Sequence, residues 1–259
     1  MHKGSSYDYT REDIVAALRK VGITRGDSIF VHSNIGFFGR LEGAKTSDDF
    51  YAIFREAIFS VIGREGTLVV PTFTYSYCWG KEFDAMKTPG VCGFLSEMVR
   101  KDPSAIRSED ANFSIAAIGR HARYFTENPP AHSFERDSFW GRFLEKGGKF
   151  CNFNFDSGST FLHFVEKTLQ VEYRYDKKFS GRSVRDGKIE EGYFIHFVCD
   201  HDKPMDMPNF EKFDRVAKGR SIAKMTDLGK GQIVMITARD TFDLVRDQLK
   251  KEPRFLLED

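Results

Sequence analysis

Gly26-Asp-Ser-Ile-Phe-Val-His-Ser33, with Gly66-Thr-Leu-Val-Val-Pro71 further along the chain, is the pair of segments that decides the fold. Each is a short, unbroken apolar run that opens at glycine and closes on a polar residue or a proline. That is the pattern of a strand buried on both faces. Between them, Ser33-Asn-Ile-Gly-Phe-Phe-Gly39 reads as a loop, and Ser47-Asp-Asp-Phe opens a helix to about Ile62. Phe50, Ile53, Phe54, Ala57 and Ile58 repeat along that helix at helical spacing. Strand, loop, helix, strand is the grammar of a parallel α/β sheet.

The same grammar extends outward. Upstream, Thr10 N-caps a helix over Arg11–Lys20, with Asp13 as the acid of a capping box and Gly22 as the stop. Downstream, Thr72 to Arg107 is irregular apart from a helix over Gly93–Lys101 that Pro103 ends. Strands follow at Phe113–Gly119 and Gly148–Phe155, and Asp156-Ser-Gly-Ser-Thr160 leads into a helix from Phe161 to about Thr168. From Val171 to Val198 the pattern turns to β around a polar Arg185-Asp-Gly-Lys188 turn, expected as an antiparallel insertion on the main sheet. Gly231–Ile236 and Asp240–Leu249 return to strand and helix. The expectation is one domain over residues 1–259, with a β-rich subdomain at about 171–215.

Composition narrows the function. Lys+Arg is 39 and Asp+Glu 38, a formal net charge of +1. Nucleic-acid binding needs a concentrated basic excess, so no nucleic-acid partner is expected. No apolar run reaches the roughly 18 residues of a membrane span, and no secretory h-region opens the chain. The four cysteines, Cys78, Cys92, Cys151 and Cys199, lack close pairing and read as reduced thiols of a cytoplasmic protein.

Sites in α/β sheets gather at the carboxyl ends of strands. His32 and Ser33 follow the first strand, Pro71-Thr-Phe-Thr-Tyr75 the second, and the Asp-Ser-Gly-Ser-Thr turn follows Cys151–Phe155. The helix after that turn carries His163 and Glu166, three apart and therefore on one face, with Thr160 one turn upstream. A carboxylate on one imidazole nitrogen fixes the tautomer and leaves the other nitrogen to take a proton. A surface His–Glu pair worth a few tenths of a kcal/mol is the competing reading. Arg107-Ser108 reads as a phosphate grip or a solvated loop, Cys151 as a buried thiol, and His2 and His121 as solvated. Cys199-Asp-His-Asp202 is too crowded for a common zinc spacing, so no metal is expected.

In order, Gly26–Ser33, Gly66–Thr74, Arg107-Ser…Phe113-Ser-Ile-Ala-Ala-Ile-Gly119, Ser138…Gly147-Gly-Lys and Thr160-Phe-Leu-His-Phe-Val-Glu166 resemble the aminoglycoside 3-N-acetyltransferase family. The likeness runs over roughly residues 10 to 250, through Tyr173-Arg-Tyr and Ala238-Arg-Asp-Thr-Phe-Asp. It implies a three-layer α/β/α fold with a mostly parallel central sheet, unlike the GNAT fold. It implies acetyl-CoA as donor and a primary amine of a sugar-like molecule as acceptor, with a homodimer as one expected assembly. The family's Thr-x-x-His-x-x-Glu falls on Thr160, His163 and Glu166, its His-Ser on His32 and Ser33 beside the thioester, and its Arg-Ser on Arg107 and Ser108. Ser114 is grouped with these coenzyme contacts.

Departures fall on the acceptor side. Asp110 and Ala111 stand where many members have His-Pro or Asn-Pro, Asn152-Phe-Asn154 replaces a Gly-Val-Gly-like strand exit, and Phe139 replaces a proline. His132 is only a loose counterpart of the family's histidine there. Thr72, Tyr75, Asp110, Asn152 and Asn154 are the expected acceptor contacts. The departures suggest an amino sugar, nucleotide-linked and destined for a surface polysaccharide. Alternatives are an aminoglycoside antibiotic as acceptor, a non-catalytic coenzyme- or sugar-binding relative, and a metal-dependent hydrolase built on His163, Glu166 and His201.

Overall fold

The computed structural model describes residues 7–199 and 208–258. Helix α1 (Arg11–Lys20) starts at the expected capping box: Asp13 N donates to Thr10 Oγ1 at 3.1 Å and Thr10 N to Asp13 Oδ2 at 2.9 Å. Helix α2 (Ser47–Ile62) repeats the device with Thr46 and Asp49 and ends at Gly63, whose φ of 66° suits glycine. Strands β1 (Ser28–Phe30) and β2 (Thr67–Pro71) flank it, paired in parallel with Ser28 opposite Thr67.

Along the chain then come β3 (Phe83–Asp84), α3 (Phe94–Lys101), β4 (Ile106–Arg107), β5 (Ile115–Gly119), α4 (Ala122–Thr126), α5 (Phe139–Glu145), β6 (Lys149–Phe153) and α6 (Phe161–Leu169). The last elements are β7 (Arg174–Arg185), β8 (Lys188–Cys199), α7 (Glu211–Gly219), β9 (Lys224–Leu228), β10 (Gly231–Thr237) and α8 (Ala238–Leu249). The main sheet has seven strands in the order β4-β5-β2-β1-β6-β10-β9. β4, β2, β1, β6 and β9 share one direction and β5 and β10 oppose it. The mostly parallel sheet therefore has its parallel ladders in the middle, β2-β1-β6, where neighbours shield both faces.

Strand alternation sorts the core into two layers. Ile29, Val31, Leu68, Val70, Cys151, Phe153, Ile233 and Met235 face α1, α2 and α3, meeting Ile14, Leu18, Phe54, Ile58 and Val99. Phe30, Val69, Phe150, Val234 and Ile236 face the other way, onto Phe125, Trp140, Phe143, Phe161, Val165 and Val245 of the helices from α4 to α8. This is the three-layer α/β/α arrangement. No helix among the described residues is long and apolar enough to cross a membrane.

The β-rich segment differs from expectation. β7 and β8 pair antiparallel along their whole length about Asp186-Gly187, both at positive φ, as a two-residue Asp-Gly hairpin loop requires. They do not extend the main sheet: with β3, whose Phe83 pairs with Ser183, they form a separate three-stranded sheet. The insertion thus recruits a strand from outside residues 171–215, and the helix α7 belongs to the second core layer.

Candidate active site

β1 and β6 are parallel neighbours, so their carboxyl ends deliver two loops to one edge. The ladder continues one step past the strands: Phe153 N donates to His32 O and Asn34 N to Phe153 O, each at 2.8 Å. From β6 the chain turns back on itself. The buried Asn152 amide donates to the carbonyls of Asp156 and Gly158, and Ser157 N and Oγ donate to Asp214 Oδ1 of α7 at 2.8 and 2.7 Å. The loop is held from both sides, and α6 starts from it at Thr160.

On α6, His163 Nδ1 lies 2.8 Å from Glu166 Oε2. The Glu166 side chain is fully buried, whereas 20% of the His163 side chain is exposed. Tyr173 OH donates to Glu166 Oε1 at 2.8 Å, and Arg174 Nε sits 2.8 Å from Oε2. Burial alone would raise the Glu166 pKa, but the imidazole, the guanidinium and the phenol together hold it below the ordinary carboxylate range. The ionised carboxylate accepts the Nδ1 proton, so Nε2 carries the free lone pair; among the described residues it has no partner. Burial first, then the Arg174 charge, lowers the His163 pKa, with Glu166 opposing in part. The imidazole is neutral near pH 7. The rings of Phe134 and Phe210 flank it at 5.8 and 5.5 Å between centroids.

The other candidate residues divide. Thr160 is half-buried at the N-cap with no side-chain cap hydrogen bond, leaving its hydroxyl available; the Leu162 and His163 amides turn back onto the Ser159 and Thr160 carbonyls. At the β1 exit, Ser33 Oγ is buried with no partner, as is Ser159 Oγ on the facing loop. His32, against Phe30 and Phe155, is pushed down to about 4 by burial, which the neighbouring Asn152 side chain opposes only in part. Tyr75 stands at φ 51° among Phe73, Trp79 and Phe113, its phenol raised to about 12 by burial.

Seven candidates make hydrogen bonds within the scaffold. Arg107 Nε donates to Thr72 Oγ1 and Ser114 Oγ, Nη1 to the carbonyls of Ala85 and Thr88, and Nη2 to that of Thr72 at 2.8 Å. Ser114 Oγ also donates to the Thr72 carbonyl, and Ser108 Oγ accepts from Ile115 N. Arg107, Ser108 and Ser114, expected at the coenzyme, and Thr72, expected at the acceptor, are joined in an internal hydrogen-bond knot. Asp110 is likewise saturated, by Asn112 N, Phe113 N and Ser133 Oγ. Asn154, at φ 55°, accepts from Gln232 N and donates to Asn34 O, and a side chain at Gly231 would collide with its amide. Asn152 shapes the loop through its NH₂, while its Oδ1 is buried with no partner among the described residues.

His132 Nε2 meets Asp176 at 3.0 Å while its Nδ1 accepts from Phe134 N. His121 is half-buried against Phe125, and the Cys151 thiol is buried as expected. No group of three or more His, Cys, Asp or Glu side chains among the described residues is arranged to hold a metal. Of Cys199-Asp-His-Asp202 only Cys199 lies among them, and His2 lies outside.

Sequence reasoning assigned no role to Tyr173, Arg174, Phe134, Phe210 or Ser159. Its one available signal was the Tyr-Arg-Tyr run directly after the helix carrying His163.

The profile of the aminoglycoside 3-N-acetyltransferase family matches residues 30–250. Aminoglycoside N(3)-acetyltransferase IV of Salmonella sp is 26% identical over 259 residues, covering 97% of this chain and 91% of that protein. Aminoglycoside acetyltransferase AAC(3)-IVa, solved as a histidine-to-alanine mutant in complex with a gentamicin, superposes with a TM-score of 0.81 at 24% identity, covering 99% of this chain and 94% of that one. AAC-IIIb in binary complex with CoASH gives 0.76 at 20% identity, with 92% and 97% covered. These solved structures share the fold. A family match from β1 to the end of α8, laid over this geometry, places the chain in the aminoglycoside 3-N-acetyltransferase family of acyltransferases.

Proposed function

We propose that the protein acetylates the 3-amino group of an aminoglycoside, with acetyl-CoA as donor and His163 as general base. The observation that carries this is the His163 imidazole, held by a buried carboxylate, at the start of the helix that follows β6. The relatives named above are aminoglycoside N(3)-acetyltransferases, and among their solved structures are complexes with a gentamicin, apramycin and sisomicin. That favours an aminoglycoside over the nucleotide-linked surface sugar, for which the comparisons offer no support.

The residues fit the donor. Two buried hydroxyls without partners, Ser33 and Ser159, stand where β1 and β6 end. Beside the β1 exit lies a cavity of about 700 Å³ whose lining includes Arg40, Lys45, Phe50 and Phe94, cations and rings suited to phosphates and an adenine. The thioester supplies an activated acetyl group. His163 Nε2 takes the proton from the acceptor nitrogen as the N–C bond forms and the C–S bond breaks, then returns it to the departing sulfur. The Thr160 hydroxyl is placed to donate to the carbonyl oxygen as negative charge gathers there. Transfer is direct: burial raises Cys78 and Cys92 to about 11 and Cys151 further, so none of these offers a thiolate at neutral pH.

The test measures CoA release at fixed acetyl-CoA over gentamicin, apramycin, sisomicin and a set of nucleotide-linked amino sugars, with the acetylated nitrogen located by NMR. Acetylation at N3 of an aminoglycoside, with kcat/KM at least about tenfold above every nucleotide sugar, supports the proposal. Turnover of a nucleotide sugar with no aminoglycoside acetylated overturns it.

A further inference from the structure

We propose that Arg174 is a positioning residue of this site, its guanidinium sharing Glu166 Oε2 with His163 so that the carboxylate orients the imidazole without charging it. The inference rests on the acetyl-transfer reading above. A buried carboxylate beside a histidine ordinarily favours the imidazolium, and a protonated imidazole accepts nothing from an ammonium acceptor. Here a neutral ring and a cation meet one oxygen: His163 Nδ1 hydrogen-bonds Oε2 at 2.8 Å, and the Arg174 guanidinium lies against the same oxygen as an ion pair, Nε at 2.8 Å, without a hydrogen bond.

The arrangement is rigid. Arg174 is 4% exposed, and its Nη1 donates to the Phe197 carbonyl of β8 at 3.1 Å, so the guanidinium cannot swing to solvent. Glu166 Oε1 is separately held by the Tyr173 hydroxyl, which burial keeps protonated. The carboxylate is thus pinned at both oxygens while its charge is balanced by a group other than the base. That balance agrees with the lowered His163 pKa, in which Arg174 is the principal charge acting downward.

Among the described residues, several other charged groups of the surrounding elements pair with one another. On α6, Lys167 takes both oxygens of Asp176 of β7 at 2.8 Å, with Glu135 3.7 Å away, and the same Asp176 meets His132. On α7, Asp214 pairs with Lys218 at 2.7 Å, and Lys218 also reaches Asp156 at 3.0 Å. Phe134 and Phe210 present only rings. Among the described residues, Arg174 and Glu166 are the charges that act on His163.

The experiment follows the ¹³C-labelled His163 ring by NMR titration, its signal assigned by loss in His163→Gln, and records the acid limb of kcat. In Arg174→Met or Arg174→Gln, His163 is expected to be at least about tenfold more protonated at a given pH than in wild type, and the acid limb to move upward with it. Arg174→Lys, which keeps the charge, should restore the wild-type limb. Glu166→Gln should move His163 the opposite way, because it leaves the cation without its anion. A structural role for Arg174 moves stability without producing these opposite shifts. The inference fails if folded Arg174→Met or Arg174→Gln titrates as wild type. If neither folds, it fails when Glu166→Gln leaves His163 unmoved or more protonated. Absence of any acetyl transfer by wild type would instead sink the reading of the site, since the titration needs no turnover.

Discussion

An imidazole works as a base only while it is neutral, and among the described residues burial acts in that direction at four histidines, His121 among them. His163 is lowered at the site, and His32 and His196 are both pushed down to about 4. For His196 the tautomer follows from its neighbours. Asn112 Oδ1 accepts from the Tyr77 and Cys78 amides, so its NH₂ faces His196 Nε2 at 3.1 Å and that nitrogen must be the acceptor. Between about pH 4 and 6.5 the unfolded chain binds more protons at His32 and His196 than the folded chain does, so stability rises with pH across that window. Each histidine contributes at most about 1.4 kcal/mol per pH unit. Urea unfolding of wild type should show a clear loss from pH 7 to pH 5, and His196→Asn should flatten it; a pH-independent midpoint contradicts the assignment.

The residue scale is also where the sequence was most and least informative. The i, i+3 spacing of His163 and Glu166 determines that they meet, and they do. The Arg174 contact crosses from α6 to β7 through a turn, Gln170 at φ 52°, whose geometry no local pattern announces.

At the scale of elements, capped helices and glycine-bounded apolar strands were legible because their signals are local. The Asp-Gly hairpin was legible too, but not its placement: pairing with β3 is a long-range choice between edges. α7 and β9 escaped because β9, Lys-Met-Thr-Asp-Leu, is an edge strand with three exposed positions, and the short amphipathic α7 buries Phe213 and Ala217 and packs Val216 partly against the core. Arg107-Ser108 looked like a ligand grip because an arginine beside a serine carries the same donors whether they point outward or in. Its donors tie β4 to the chain after β2 and to the turn that follows β3. Arg107→Met removes the donors to the part-buried carbonyls of Ala85 and Thr88 and one of two to that of Thr72, and is expected to cost at least about 2 kcal/mol, a melting point lower by roughly 5 °C. The KM for acetyl-CoA should stay within about twofold; an unchanged melting point with a tenfold rise in that KM would restore the coenzyme role.

At the scale of the molecule, the alternation of β1, β2, β6 and β10 splits the apolar residues between two helical layers, and the parallel centre of the sheet puts two strand ends side by side. One layer builds α6 and, with it, the base. The other carries α2 and α3, whose Phe50 and Phe94 line the cavity beside the β1 exit. The proposed function has the acceptor meet the α6 layer and the coenzyme this cavity, as direct transfer would require.

The claim that joins these scales is that His163 removes the acceptor proton. It is tested most directly by the rate of CoA release in His163→Ala at neutral pH, with thermal melting and circular dichroism confirming the fold. The account predicts a loss of about 10²- to 10⁴-fold that narrows as pH rises and the acceptor amine deprotonates unaided. A folded His163→Ala protein that releases CoA within about tenfold of the wild-type rate at pH 7 would contradict it.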